Sequence, residues 1–220
     1  FIKIVKYLHD ETKDVTKVTL ENFTFSVPLL KSSPFPIEFI NPRYAVKYGL
    51  FDVIDYSAKN GKFCDYTKYI CAYAAELGNI EMMKFFHTKG FPYNEETCIA
   101  AARSGNLDIL RFLVDLGGCE WSSRFSIAAA NAGHANIIQY ALSQDYDIGA
   151  AISYAARGGH LELVKWLHSL GYTNFGYHLV SSATSFGQFE IVKWAHANGY
   201  EFTYDECNSA AKGGHIEIFK

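Results

Sequence analysis

Eight histidines, a regular set of carboxylates and the glycine pairs Gly158–Gly159 and Gly213–Gly214 are the residues of this chain that could do chemistry. Histidine and carboxylate together could hold a metal or relay protons, and glycine pairs can cradle a phosphate. The stretch Ala155–Tyr172, AARGGHLELVKWLHSLGY, carries all three types at once. Their placement speaks against each chemistry. His134, His160 and His215 follow a glycine, at a position where Asn79 and Asn106 stand elsewhere in the chain. His9, His87, His168 and His196 each follow a triplet of the Lys-Trp-Leu type, which leaves only His178 outside the pattern. Residues that recur once per repeat lie about 10 Å apart by helix-packing distances, too far to share one metal. No metal or cofactor site is expected. A position that accepts either histidine or asparagine suits a hydrogen bond to turn backbone.

The carboxylates repeat as well. Glu81, Asp108, Glu162, Glu190 and Glu217 stand one turn before Lys84, Arg111, Lys165, Lys193 and Lys220, the spacing of surface ion pairs. Gly158–Gly159 and Gly213–Gly214 lack the lysine and hydroxyl of a phosphate loop, and nothing resembles a G-x-S-x-G elbow. No catalytic residue is assigned, and a non-enzymatic chain is expected.

The elements that position these residues are copies of one unit. Anchor glycines at Gly49, Gly78, Gly105, Gly133, Gly159, Gly187 and Gly214 are spaced by 29, 27, 28, 26, 28 and 27 residues. A second set, Gly61, Gly90, Gly117, Gly171 and Gly199, keeps the same register, with Asp145 in the missing place. Each unit reads as two short helices around a tight turn. The first ends in small residues, usually Ala-Ala, and the anchor glycine supplies the left-handed turn. In the best copy the second helix is expected over Leu161–Leu170, with Leu161, Val164, Leu167 and Leu170 on its apolar face and Leu163 and Trp166 beside it. Start signals come from Asn94, from Ser122 or Ser123, from Thr203 with Glu206 as a capping box, and from Asn41-Pro42. Loop aromatics Tyr93, Trp121, Phe175 and Phe202 recur and are expected to pack between copies.

The pattern Ala-Ala-x-x-Gly-His-Leu-Glu-x-Val-Lys-x-Leu, nearly intact at Ala155–Leu167, resembles the ankyrin-repeat family. The period departs from the usual one of about 33 residues, and the threonine-proline-leucine-histidine opening is absent. Gly90–Leu113 looks like the compact ankyrin subclass abundant in protists and giant DNA viruses. The resemblance implies an all-α solenoid of stacked antiparallel helix pairs whose function is protein–protein binding. It also implies that the two variable residues before each anchor glycine face the concave surface and touch partners. Here these are Glu76 and Leu77, Arg103 and Ser104, Asn131 and Ala132, Arg157 and Gly158, Ser185 and Phe186, Lys212 and Gly213. The lane is mildly basic, which suits an extended partner segment bearing some acidic residues. The expected role is a scaffold or adaptor. The alternatives are a structural component of a large assembly and a regulatory repeat arm of a longer protein.

Three segments follow. Residues 1–9 match the second helix of a truncated repeat, 10–41 break the pattern, and 42–220 hold about six units, the last one truncated. Lys17–Val27, KVTLENFTFSV, is partly β-prone, so the N-terminal segment reads as a degenerate repeat with an insertion or as a docking element.

Composition bounds the partners. The net charge is −3 and no basic run exceeds a pair, so neither a nucleic-acid nor an anionic-membrane partner is expected. No window approaches the roughly 18 apolar residues of a membrane span. Cys64, Cys71, Cys98, Cys119 and Cys207 are scattered without a C-x-x-C pair. Reduced, buried cysteines and a cytoplasmic location are the expectation.

Overall fold

The computed structural model describes residues 42–59, 67–173 and 176–219, which form helices and no strand. The expectations for residues 1–41, for His9, Gly61 and Cys64, and for Phe175 and Lys220 lie outside the described residues. Two compact units divide between Tyr93 and Asn94.

The first unit holds α1 (Pro42–Lys47), α2 (Phe51–Lys59), α3 (Thr67–Glu76) and α4 (Ile80–Thr88). The second holds α5 (Glu95–Arg103), α6 (Leu107–Asp115), α7 (Ser123–Ala132), α8 (Ala135–Ser143), α9 (Ala151–Gly158), α10 (Leu161–Ser169), α11 (Gly176–Ser185), α12 (Phe189–Ala197) and α13 (Tyr204–Lys212). A short 3₁₀ turn, Ile216–Phe219, closes it. Helices of about nine residues are marginal alone, so pairing must stabilise them. The fold is an all-α solenoid of helix pairs, and within each unit the odd-numbered helices pack on the odd-numbered helices of adjacent copies.

The paired alanines make that stacking possible. Ala74–Ala75, Ala101–Ala102, Ala129–Ala130 and Ala155–Ala156 are fully buried. With side chains this small, neighbouring helix axes approach closely. The turn that follows is the same each time. The N–H after the anchor glycine donates to the carbonyl of the first alanine, as in Asn106 to Ala101 (2.9 Å), His134 to Ala129 (2.9 Å) and His160 to Ala155 (3.0 Å). This is the Schellman closure, and it satisfies carbonyls that the helix end would otherwise orphan. Every described member of both glycine sets has positive φ, and Asp145 fills its place at φ 55°.

The second helices each bury a three-residue wedge: Ile109, Leu110 and Leu113 on α6, Ile137, Ile138 and Ala141 on α8. On α10 the wedge is Leu163, Val164 and Leu167. This corrects the expected face: Leu161 is half-buried and Leu170 is 50% exposed. The helix is rotated so that two adjacent residues, not a single row, point inward, because its apolar surface must meet its own partner and both neighbours. Each buried side chain contributes about 1.5–3 kcal/mol.

The caps form where the residues suggest. Asn94 with Thr97 and Thr203 with Glu206 close capping boxes. Of the two serines it is Ser122 that caps α7, its Oγ accepting from the Arg124 N–H. The cysteines depart from expectation. Cys98 on α5 and Cys119 beyond α6 are joined as a disulfide, while Cys71 is buried and Cys207 exposed. The two partners are 21 residues apart in sequence, and the helical hairpin between them brings them together.

Candidate interaction surface

The anchor-following side chains do not gather into a site; they link copies. The imidazole Nε2 of His134 lies 2.9 Å from the Arg103 carbonyl, that of His160 3.1 Å from Asn131, and that of His215 3.0 Å from Ser185. Gln188 Nε2 donates to the Arg157 carbonyl at 3.0 Å. A carbonyl only accepts, so each ring holds its proton on Nε2. The accepting carbonyls all belong to the last two residues of a first helix, where no intrahelical donor is left. The expected bond to turn backbone is there, and it crosses from one copy to the one before. Asn79 differs, capping its own helix through the Met82 N–H at 3.0 Å.

His87, His168 and His196 pack against rings. His168 meets Trp194 edge-on at 5.1 Å and Tyr200 at 5.9 Å, and His196 lies 6.0 Å from Phe202. His87 Nδ1 lies 3.1 Å from the Tyr93 hydroxyl. Trp121 stacks flat on Tyr146 at 4.7 Å and donates its indole N–H to the Asp147 carbonyl. The loop aromatics described are packing groups between copies. Of the helical acid–base pairs, Glu81–Lys84 (3.0 Å) and Glu162–Lys165 (2.7 Å) close as salt bridges. Among the described residues no group of three or more His, Cys, Asp or Glu is placed to hold a metal.

What remains exposed is the variable pair before each anchor glycine. In the first unit, Glu76 is exposed and Leu77 is 44% exposed. In the second, Arg103, Asn131, Arg157 and Lys212 are exposed, while Ser104 and Ser185 are half-buried. Ser104 is turned inward, its Oγ donating to the Ala100 carbonyl at 2.7 Å. Phe186 is 48% exposed, and the Arg157 guanidinium lies 4.4 Å from its ring centroid and 5.9 Å from that of Tyr154. Such a contact contributes about 0.5–1 kcal/mol at an exposed site, and it fixes a side chain that would otherwise be mobile. Tyr154 was not among the residues singled out in the sequence; it stands one turn before Arg157's copy of the variable pair, on the same helix face. Arg103, Arg157 and Lys212 close no salt bridge with a described residue.

Helix pairs tied across copies at His134, His160, Gln188 and His215 make the second unit a stack of one repeated unit. Residues 125–206 match the family model for ankyrin repeats (3 copies). No curated protein matches the chain. Ankyrin repeats are in general protein–protein interaction modules, and the family is typically non-enzymatic. Among the described residues no helix is long and apolar enough to cross a membrane.

Proposed function

We propose that the chain is a non-enzymatic scaffold or adaptor that holds another protein on the lane of variable residues preceding the anchor glycines. The observation that supports this most is Arg157: exposed, without an acidic partner among the described residues, and held against Phe186 and Tyr154. An oriented arginine beside an exposed aromatic is the composition of a binding hot spot, and the internal geometry makes no use of it. With Arg103 and Lys212 on the same lane, the partner is an extended protein segment that includes acidic residues. Nucleic acid does not fit, because three isolated cations on a chain of net charge −3 make no phosphate-tracking stripe. We read the repeat period of about 27 residues as that of a compact variety of the ankyrin repeat, and the cytoplasm is the compartment we infer.

The test is a comparison of two baits in source-cell lysate: the native chain and a variant with Arg103→Glu, Arg157→Glu and Lys212→Glu. All three positions are exposed, so the variant should keep its helical circular dichroism. A partner retained by the native bait and lost from the variant supports the reading. Equal capture by both removes the lane from consideration.

A further inference from the structure

Within the second unit the three cations of the lane are evenly spaced, one on every second copy. Arg103, Arg157 and Lys212 fall on alternate copies, with the neutral Asn131 and Ser185 on the copies between. First helices of adjacent copies pack on one another, at about 10 Å between axes. Successive cations are therefore about 20 Å apart along the lane. An extended chain advances about 3.4 Å per residue, so about six residues span that distance. Six is an even number, and residues an even number apart on a strand point to the same side. Ala100, Ala128 and Ser182 stand one turn before Arg103, Asn131 and Ser185 on their helices and are small and half-buried, so a backbone can run close over that face.

We infer that the lane recognises an extended acidic peptide whose carboxylates recur about every sixth residue, the central one seated on Arg157. The inference rests on the adaptor reading and adds a spacing rule to it. Charge complementarity selects the class of partner, and the alternate-copy placement selects the spacing. Arg157 is the anchor because Phe186 and Tyr154 present its planar fork already oriented, so less freedom is lost when a carboxylate takes both N–H groups. Arg103 and Lys212 act as outlying point charges that reward the correct register and are weakened by salt.

The experiment is fluorescence anisotropy with the full chain, at low ionic strength, on three labelled peptides of one length and a serine-alanine background. One carries three glutamates at every sixth residue, one carries the same glutamates side by side, and one carries glutamines at the every-sixth positions. The spaced peptide is expected to bind about tenfold tighter than the clustered one, and the glutamine peptide not measurably. Arg157→Gln should weaken the spaced peptide at least about fivefold, with Arg157→Lys in between, because lysine keeps the charge and loses the fork. Equal or tighter binding of the clustered peptide overturns the spacing rule, as does the absence of binding by every peptide. A bait partner lost from the triple charge-reversal variant, combined with no spacing preference, would leave the adaptor reading standing and the spacing rule refuted.

Discussion

The imidazole Nε2 of His160 lies 3.1 Å from the main-chain oxygen of Asn131, 29 residues earlier and one copy back. That bond joins the turn of one repeat to the helix end of another, where the carbonyl has no intrahelical partner. Replacing His160 by alanine should cost about 1 kcal/mol, with a further increment if the orphaned carbonyl stays dry. Gln188 does the same work with a side-chain amide, so His160→Gln should recover most of the loss. Urea unfolding of the three proteins checks this. A glutamine variant no better than alanine would mean that ring packing, not the hydrogen bond, carries the effect.

The same ladder divides the glycines into two kinds. Gly133 and Gly171 both hold left-handed backbone, at φ 83° and 88°. A Cβ on Gly133 would sit 2.6 Å from the Nδ1 of His160, whereas one on Gly171 would meet nothing within 4 Å. Gly171→Ala should therefore cost only the backbone penalty, about 1–2 kcal/mol. Gly133→Ala should cost that and the displaced ring with its bond, about 1 kcal/mol more. Equal losses from the two substitutions, read from urea midpoints, would deny the ring any role at the anchor.

These two cases show what the sequence makes legible. Periodicity locates both glycine sets, and Asp145 at φ 55° sits where the register leaves a gap. Local signals also hold: the Thr203–Glu206 box spans three residues and needs no tertiary knowledge. What periodicity lacks is rotation and partnership. It places Leu161 and Leu170 on the apolar face of α10, where Leu163, Val164 and Leu167 are the buried residues, because the rotation is set by neighbouring copies. It identifies His160 as a turn residue without revealing that the accepting carbonyl belongs to the previous copy. The pairing of Cys98 with Cys119 and the stacking of Arg157 on Phe186 depend on contacts made by the hairpin and the stack, which no local spacing encodes.

Glu206 gives the fold a pH dependence. Its carboxylate is 1% exposed, and Oε2 accepts the Thr203 N–H at 2.7 Å together with the Thr203 hydroxyl. Burial pushes its pKa upward, but the hydrogen bonds from Thr203 outweigh that and hold it below the usual 4.5. A carboxylate with a depressed folded pKa contributes its stability above the unfolded value and loses it as pH falls through the folded one. Between neutral pH and the range below about 4.5 the native chain should lose more stability than Glu206→Gln does. At neutral pH the variant should be weaker by about 1 kcal/mol, the worth of a cap. Urea midpoints measured across that range should converge on acidification; parallel curves would show that Glu206 does not titrate with folding.

The cysteine pair is the part of the fold that responds to redox conditions. Closing a loop of 21 residues restricts the unfolded chain, which in the loop-entropy account stabilises by about 3 kcal/mol. Dithiothreitol should therefore lower the urea midpoint, while a Cys98→Ala, Cys119→Ala double variant should be unmoved by it. Helicity should persist in both, because the buried wedges of α6 and α8 do not involve the sulfurs. Among the described residues two unpaired thiols supply an internal comparison. Cys207 is exposed and should alkylate readily, whereas burial pushes the Cys71 thiol up to about 12 and should keep it unreactive until the first unit opens. Cytosolic glutathione would hold Cys98 and Cys119 as thiols, so the cytoplasmic reading requires the reduced chain to stay folded. Unfolding of the native chain by dithiothreitol alone, at physiological temperature, would move the protein to an oxidising compartment.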